Sequence, residues 1–107
     1  MDSWDISTLD VEPRKPTVLR TDGEARVVAI NLPAGEALED HQVHERAYVV
    51  VLQGEVQIGP VDSPQQAGPG FLAHFDPNER HEVRATSDAR LLLFLAPWPG
   101  EGHPSQR

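Results

Sequence analysis

Proline and glycine interrupt this chain so often that no long regular element can form. Ten prolines and eight glycines occur in 107 residues, and the runs between them are short and rich in valine, leucine, isoleucine and phenylalanine. Both residue types end helices and mark turns. Short apolar runs separated by turn signals every eight to twelve residues or so are typical of β-sandwiches and barrels. The sequence therefore predicts an all-β fold without a long helix.

Seven strands can be located from these runs. Asp22-Gly23, a dipeptide typical of hairpin turns, separates the first two strands, and Gly54 alone separates the third from the fourth. The segment 59–70 is rich in proline and glycine and is predicted to be a surface loop. The predicted strands are Thr17–Thr21, Ala25–Leu32, Arg46–Gln53, Glu55–Gly59, Phe71–Phe75, His81–Ala85 and Arg90–Ala96.

The chain has room for one domain with flanking segments. Residues 1–16 are predicted to be an N-terminal arm that packs through Trp4 and Ile6, residues 17–97 a single β-barrel domain, and residues 98–107 a tail rich in proline and glycine. The strand 46–53 has apolar residues on both faces, which indicates burial on both. A second subunit is the simplest cover for the outer face, so we expect a homodimer.

Charge and composition exclude several classes of function. A net charge of −8 disfavours binding to nucleic acid, whose phosphates it would repel. The absence of cysteine excludes disulfides, thiolate metal sites and cysteine nucleophiles. The first residues have no signal-peptide pattern, and the longest apolar run, 91–97, is too short to span a bilayer. We expect a cytoplasmic protein that binds neither nucleic acid nor membrane.

Two segments resemble the signature motifs of the cupin superfamily. The first runs from Gly35 through His41 to Gly54, and the second runs from Gly70 to His81. The resemblance covers roughly residues 25–97. It implies a cupin-like double-stranded β-helix, which is a jelly-roll barrel of the RmlC-like kind. Proteins of this family usually hold a metal between the two motifs.

The chain departs from the family pattern at two of the four usual metal-ligand positions. His41 and His81 match the pattern, but Val43 stands where the second histidine belongs and Ala47 where the glutamate belongs. The second motif is also altered, because Asn78 replaces its second glycine. A protein metal site normally needs at least three protein ligands. The two matching histidines are therefore too few to form a metal site by themselves.

His44 and Glu45 are the nearest candidates for further ligands. A β-bulge after His41 would turn His44 inward, and Glu45 has the same parity along the strand as His41. The alternative is that both are ordinary residues at the barrel rim. If a metal binds, the resemblance implies Fe, Mn, Ni or Zn, held by His41, His44, Glu45 and His81.

Three functions remain open at this point. The first is the binding of a small molecule in the barrel cavity, with the metal site altered or lost. The second is a metal-dependent oxygenase or isomerase, and the third is a metal-free acid–base enzyme of the isomerase or epimerase type, with a histidine as the base. Residues expected to face the cavity are His41, Val43, Ala47, Val49, Val51 and His81.

Overall fold

The computed structural model describes residues 1–22, 25–41 and 45–96, and in them it contains nine β-strands and no helix. In this part of the chain there is accordingly no helix that could span a membrane. All seven predicted strands are present. The strands are β1 (Thr17–Asp22), β2 (Ala25–Leu32), β3 (Ala37–His41), β4 (Arg46–Gln53), β5 (Val56–Gly59), β6 (Gln65–Ala67), β7 (Leu72–Phe75), β8 (His81–Ala85) and β9 (Ala89–Ala96).

The strands form two antiparallel sheets that enclose one core. The first sheet has the order β1-β2-β9-β4-β7, and the second has the order β3-β8-β5-β6. Because successive side chains of a strand point to opposite faces, alternate residues of each strand enter the core. On β4 the buried residues are Ala47, Val49 and Val51, whereas Tyr48 is 37% exposed. The alternation matches the predicted parity and confirms the all-β prediction.

Two strands were not predicted from the sequence. The strand β3 carries the polar run Glu39-Asp40-His41 after Ala37 and Leu38, and β6 consists of Gln65, Gln66 and Ala67. The segment 59–70 is therefore not entirely a surface loop, because Ala67 pairs with Val56 and is buried in the core. Both strands lie at an edge of the second sheet, where polar side chains can reach solvent.

Turns at Gly54 and Gly35 need glycine because their backbones are left-handed. Gly54 has φ +79° between β4 and β5, and Gly35 has φ +84° before β3. A Cβ at Gly54 would also overlap the carbonyl oxygen of Asp88 and lie 2.7 Å from Cα of Ala89, whereas nothing lies within 4 Å of a Cβ at Gly35. The predicted turn at Gly54 is confirmed. The predicted turn dipeptide Asp22-Gly23 extends beyond the described residues.

The N-terminal arm is held against one end of the first sheet. Its buried anchor is Val11, at 4% exposure, rather than the predicted Trp4, which is 43% exposed; Ile6 is half-buried. Pro13 forms a parallel bridge with Asn31 of β2. Side chains at the strand ends bind the arm through its carbonyl groups: Asn31 Nδ2 donates to Val11 O at 2.6 Å, Gln53 Nε2 to Ser7 O at 3.1 Å, and Arg90 Nη1 to Ile6 O at 2.8 Å.

The outer face of the first sheet carries two rows of mainly apolar residues. Strand register places one residue of β2, β9, β4 and β7 in each row. Leu72 is 60% exposed at the end of one row, and Tyr48 is partly exposed in the other. We call this surface the outer patch: its rows are Leu92, Val50 and Leu72, and Val27, Phe94, Tyr48 and His74. Ala29 of β2 continues the first row but is fully buried.

Candidate functional site

The imidazole of His81 is the best-defined polar group inside the barrel. His81 lies on the inner face of β8 and is 3% exposed. Its ring stacks on the buried ring of Phe75 in β7, with 4.0 Å between centroids and 11° between planes. Nδ1 lies 3.2 Å from the backbone oxygen of Glu79. A carbonyl oxygen can only accept, so Nδ1 carries the proton and Nε2 is the nitrogen that can accept a proton, a hydrogen bond or a metal.

A tight turn after β7 fixes the carbonyl group that holds His81. Glu79 N donates to Asp76 O at 3.0 Å, and Asp76 N donates to Glu79 Oε1 at 2.9 Å. Asn78 occupies the turn with φ +66°. Asparagine is one of the few residues other than glycine that tolerate this conformation, which explains how Asn78 can replace the glycine of the second motif.

The backbone places His41 directly opposite His81. The two are register partners in the antiparallel pair of β3 and β8, and Leu38 is the partner of Val83. Three steps along β3 thus match two steps along β8, which is a β-bulge between Leu38 and His41. Two residues that are three apart in a regular strand have opposite parity, and the extra residue of the bulge gives Leu38 and His41 the same parity. It lies before His41, whereas the sequence suggested one after it.

Glu45 is a buried carboxylate at the entry to β4. It is 1% exposed and precedes Ala47 by two residues, so it has the parity of the inward-facing residues of that strand. The interpretation of Glu45 as a rim residue is therefore wrong. His44 and Val43 lie outside the described residues, and only the backbone of His41 is described.

The three aliphatic residues expected to line a cavity are part of the packed core. Ala47, Val49 and Val51 are at most 3% exposed and belong to the main apolar cluster. Ala47 is the register partner of both Phe75 and Leu95. The position at which the family has its glutamate therefore adjoins the aromatic ring that stacks on His81.

A cleft lies between β7 of the first sheet and β5 and β6 of the second. The cleft has a volume of about 320 Å³ and is lined on one side by Ile58 and Gln65 and on the other by Ala73 and Phe75. Glu79, whose carbonyl group holds His81, also lines it. Sequence reasoning missed Phe75 and the cleft, because neither belongs to the ligand positions of the motifs.

The residue types around His81 fit a divalent transition metal, although no group of three or more potential ligands is assembled among the described side chains. Imidazole nitrogen and carboxylate oxygen are common ligands of Fe, Mn, Ni and Zn. Glu45 and His81 would supply one of each, and His41 is the register partner of His81. A carbonyl acceptor for Nδ1, as in His81, is the usual arrangement behind a metal-binding histidine.

Comparison with known proteins identifies the family. The model of the cupin domain matches residues 28–96, which is well over half of the chain. The chain belongs to the cupin family. The match spans His41 and His81 and confirms the family resemblance of the two motifs. No curated protein matches this cupin.

Several solved structures share its architecture. An RmlC-like cupin from Desulfovibrio desulfuricans has a TM-score of 0.81 and 23% identity, and the alignment covers 91% of this chain and 97% of that one. The protein TT1209 from Thermus thermophilus has a TM-score of 0.76 and 25% identity, with 91% and 98% covered. An RmlC-like cupin with a double-stranded β-helix fold from Methanocaldococcus jannaschii has a TM-score of 0.72 and 17% identity, with 85% and 88% covered. These matches confirm the double-stranded β-helix, but a fold shared by many activities does not identify one.

Proposed function

We propose that this cupin binds a small molecule in the cleft lined by Phe75, whose ring stacks on that of His81. The observation that carries the proposal is the stacked pair of rings, with His81 held in one tautomer, beside an opening to solvent. The volume of about 320 Å³ falls within the range of roughly 300 to 1,000 Å³ of ligand pockets. Preformed apolar walls with few, fixed polar groups are typical of such sites.

The lining favours a compact ring compound that donates a hydrogen bond. Ile58, Ala73 and Phe75 offer apolar contact, and the Phe75 ring suits an aromatic or sugar ring. Gln65 and Glu79, which also line the cleft, can accept the hydrogen bond. Binding, sensing or protection of a metabolite would all use this arrangement without a chemical step.

The test is a screen of small aromatic and cyclic-polyol compounds against the ¹⁵N-labelled full chain, followed by amide NMR. We expect hits that shift the amide resonances of Phe75, Glu79 and His81 in a saturable manner. We expect the same hits to bind at least tenfold more weakly to His81→Ala, which loses the ring stacked on Phe75. Hits that map elsewhere, or equal affinity for His81→Ala, would contradict the proposal.

A metal-dependent enzyme is a second candidate, and the buried carboxylate of Glu45 favours it. Carboxylate oxygen and imidazole nitrogen are ligand types that divalent transition metals prefer. A metal bound by Glu45, His81 and His41 would use both types, and its chemistry when bound would be Lewis-acid or redox activation of a substrate. In that case the role of His81 Nε2 is ligation, since Nδ1 carries the proton.

Elemental analysis of protein purified without a histidine tag separates the two candidates. A small-molecule binder without a metal gives well below one transition-metal ion per chain, before and after incubation with Mn, Fe, Ni or Zn. One tight ion per chain, lost in Glu45→Gln, would reject the first proposal and support the enzyme. Glu82→Gln is the matched control, because Glu82 is only half-buried and adjoins His81 on the opposite face of β8.

A further inference from the structure

A second pocket lies where the N-terminal arm meets the barrel, far from His81. It has a volume of about 420 Å³, and Pro13 of the arm and Pro33 after β2 form part of its apolar wall. Its polar lining includes Gln53, Asp88 and Arg90. Gln53 ends β4, whereas Ala47, next to Phe75, is near the beginning of that strand. At about 3.3 Å per residue the two pockets are roughly 20 Å apart.

Arg90 is the residue in this pocket best suited to bind an anionic group of a ligand. Its side chain is half-buried, and its hydrogen bonds go to two neutral acceptors: Nε donates to Asn31 Oδ1 at 2.7 Å and Nη1 to Ile6 O at 2.8 Å. A guanidinium group has five N–H donors, so these bonds hold its plane in place and leave donors to spare. Within the described residues Arg90 forms no ion pair, although the chain is strongly acidic. Other arginines do pair with carboxylates: Arg14 with Glu36, Arg20 with Asp2, Arg46 with Asp76 and Arg84 with Glu82.

Asp88 supplies the opposite charge in the same pocket. It immediately precedes β9, and Arg90 is the second residue of that strand. Its Oδ1 accepts a hydrogen bond from Ala34 N at 2.9 Å, which fixes the carboxylate at the pocket rim. The tight packing of Gly54 against the backbone of Asp88 and Ala89 leaves this segment little freedom to move. Asp88 and Arg90 are thus held separately, each by neutral partners, and do not neutralise each other.

We propose that this arm pocket binds a small zwitterion of the α-amino-acid type, whose carboxylate pairs with Arg90 and whose ammonium group pairs with Asp88. A planar guanidinium group suits a carboxylate because the two can form parallel, charge-assisted hydrogen bonds. The fixed separation of a positive and a negative group suits a ligand with both charges better than a simple anion or cation. Pro13 and Pro33 would contact its apolar side chain.

Three related probes test this charge requirement on the ¹⁵N-labelled full chain. Phenylglycine carries both charges, mandelate has a hydroxyl in place of the ammonium group, and benzylamine has no carboxylate. We expect saturable shifts at the amides of Leu32, Gln53 and Arg90, with phenylglycine binding at least fivefold more tightly than mandelate and benzylamine giving no saturation. Equal binding of the three probes, or none, would overturn the inference and leave Arg90 as an anchor of the arm only.

Variants separate the ligand contact from the attachment of the arm. Arg90→Gln should weaken phenylglycine binding at least tenfold, and Asp88→Asn, which keeps an oxygen for Ala34 N, should make phenylglycine and mandelate bind equally. Val11→Ala loosens the arm without changing a pocket charge and should retain affinity within threefold. A loss in Val11→Ala as large as in Arg90→Gln would overturn the inference. Shifts at Phe75 and Glu79 instead would also overturn it, while leaving the proposed function intact.

Discussion

The ring of Phe75 lies almost parallel to the imidazole of His81, and the stack joins a strand of one sheet to a strand of the other. We expect Phe75→Leu to lower the free energy of unfolding by about 1–2 kcal/mol, since it removes both the aromatic pair and some buried volume. It should also weaken every ligand that binds in the cleft. Urea denaturation and NMR titration measure the two effects.

Phe71→Leu is the control for this change. Phe71 also lines the cleft and packs against the core, but it is only partly buried. We expect a smaller loss of stability and a smaller loss of ligand affinity than in Phe75→Leu. Equal effects of the two substitutions would show that the stack with His81 has no special role.

The two glycines with left-handed backbones should differ sharply in their tolerance of alanine. Gly35→Ala costs only the conformational penalty of about 1–2 kcal/mol, because a Cβ there meets open space. Gly54→Ala adds overlap with the backbone of Asp88 and Ala89, so its melting temperature should fall well below that of Gly35→Ala. Thermal unfolding of the two variants measures the difference. Similar melting temperatures would mean that the β4–β5 turn does not pack against the start of β9.

We expect the protein to be a homodimer that pairs through the outer patch. Leu72 is 60% exposed on this face, and large apolar patches on soluble proteins usually mark interfaces. Leu72→Glu should therefore give a monomer in sedimentation equilibrium at micromolar concentration. Val61→Glu should remain dimeric, because Val61 is similarly exposed, at 55%, but lies in the loop after β5. A monomeric wild type, or monomers from both variants, would contradict this prediction.

Restoring the family's glutamate should test whether position 47 faces the proposed site. Ala47 is buried beside Phe75, so Ala47→Glu places a carboxylate in the core and should cost several kcal/mol without a metal. Tyr48→Glu, on the outer face, should cost much less. The double variant Val43→His, Ala47→Glu should regain stability on addition of Mn, Fe, Ni or Zn, as measured by thermal unfolding. If metal leaves the double variant unchanged, position 47 does not share a site with His41 and His81.

Sequence periodicity was sufficient for the strongly apolar strands, because alternation identifies the face that enters the core. The bounds of β2, β4 and β8 were predicted without error. The strands β3 and β6 were not predicted, because their polar residues lack that alternation. In addition, β3 contains a bulge that shifts its parity. Parity suggested that Glu45 could face inward, but only the structure established its burial.

Contacts between distant segments could not be predicted from local patterns. The stack of Phe75 on His81 depends on how the two sheets meet. The arm is held because Asn31, near the end of β2, and Arg90, near the start of β9, donate to its carbonyl groups. A polar residue near the end of an otherwise apolar strand, as Asn31 is in β2, is the signal that could have indicated this attachment.

Blocking the cleft is the most direct test of the proposed function. Gln65 is on the inner face of β6 as the partner of Ile58, and it lines the cleft, whereas Gln66 is on the opposite face. Ligands found in the NMR screen should lose at least tenfold in affinity for Gln65→Phe and bind Gln66→Phe as they bind the wild type. Unchanged affinity in Gln65→Phe would contradict the proposal that the cleft lined by Phe75 is where this cupin binds its ligand.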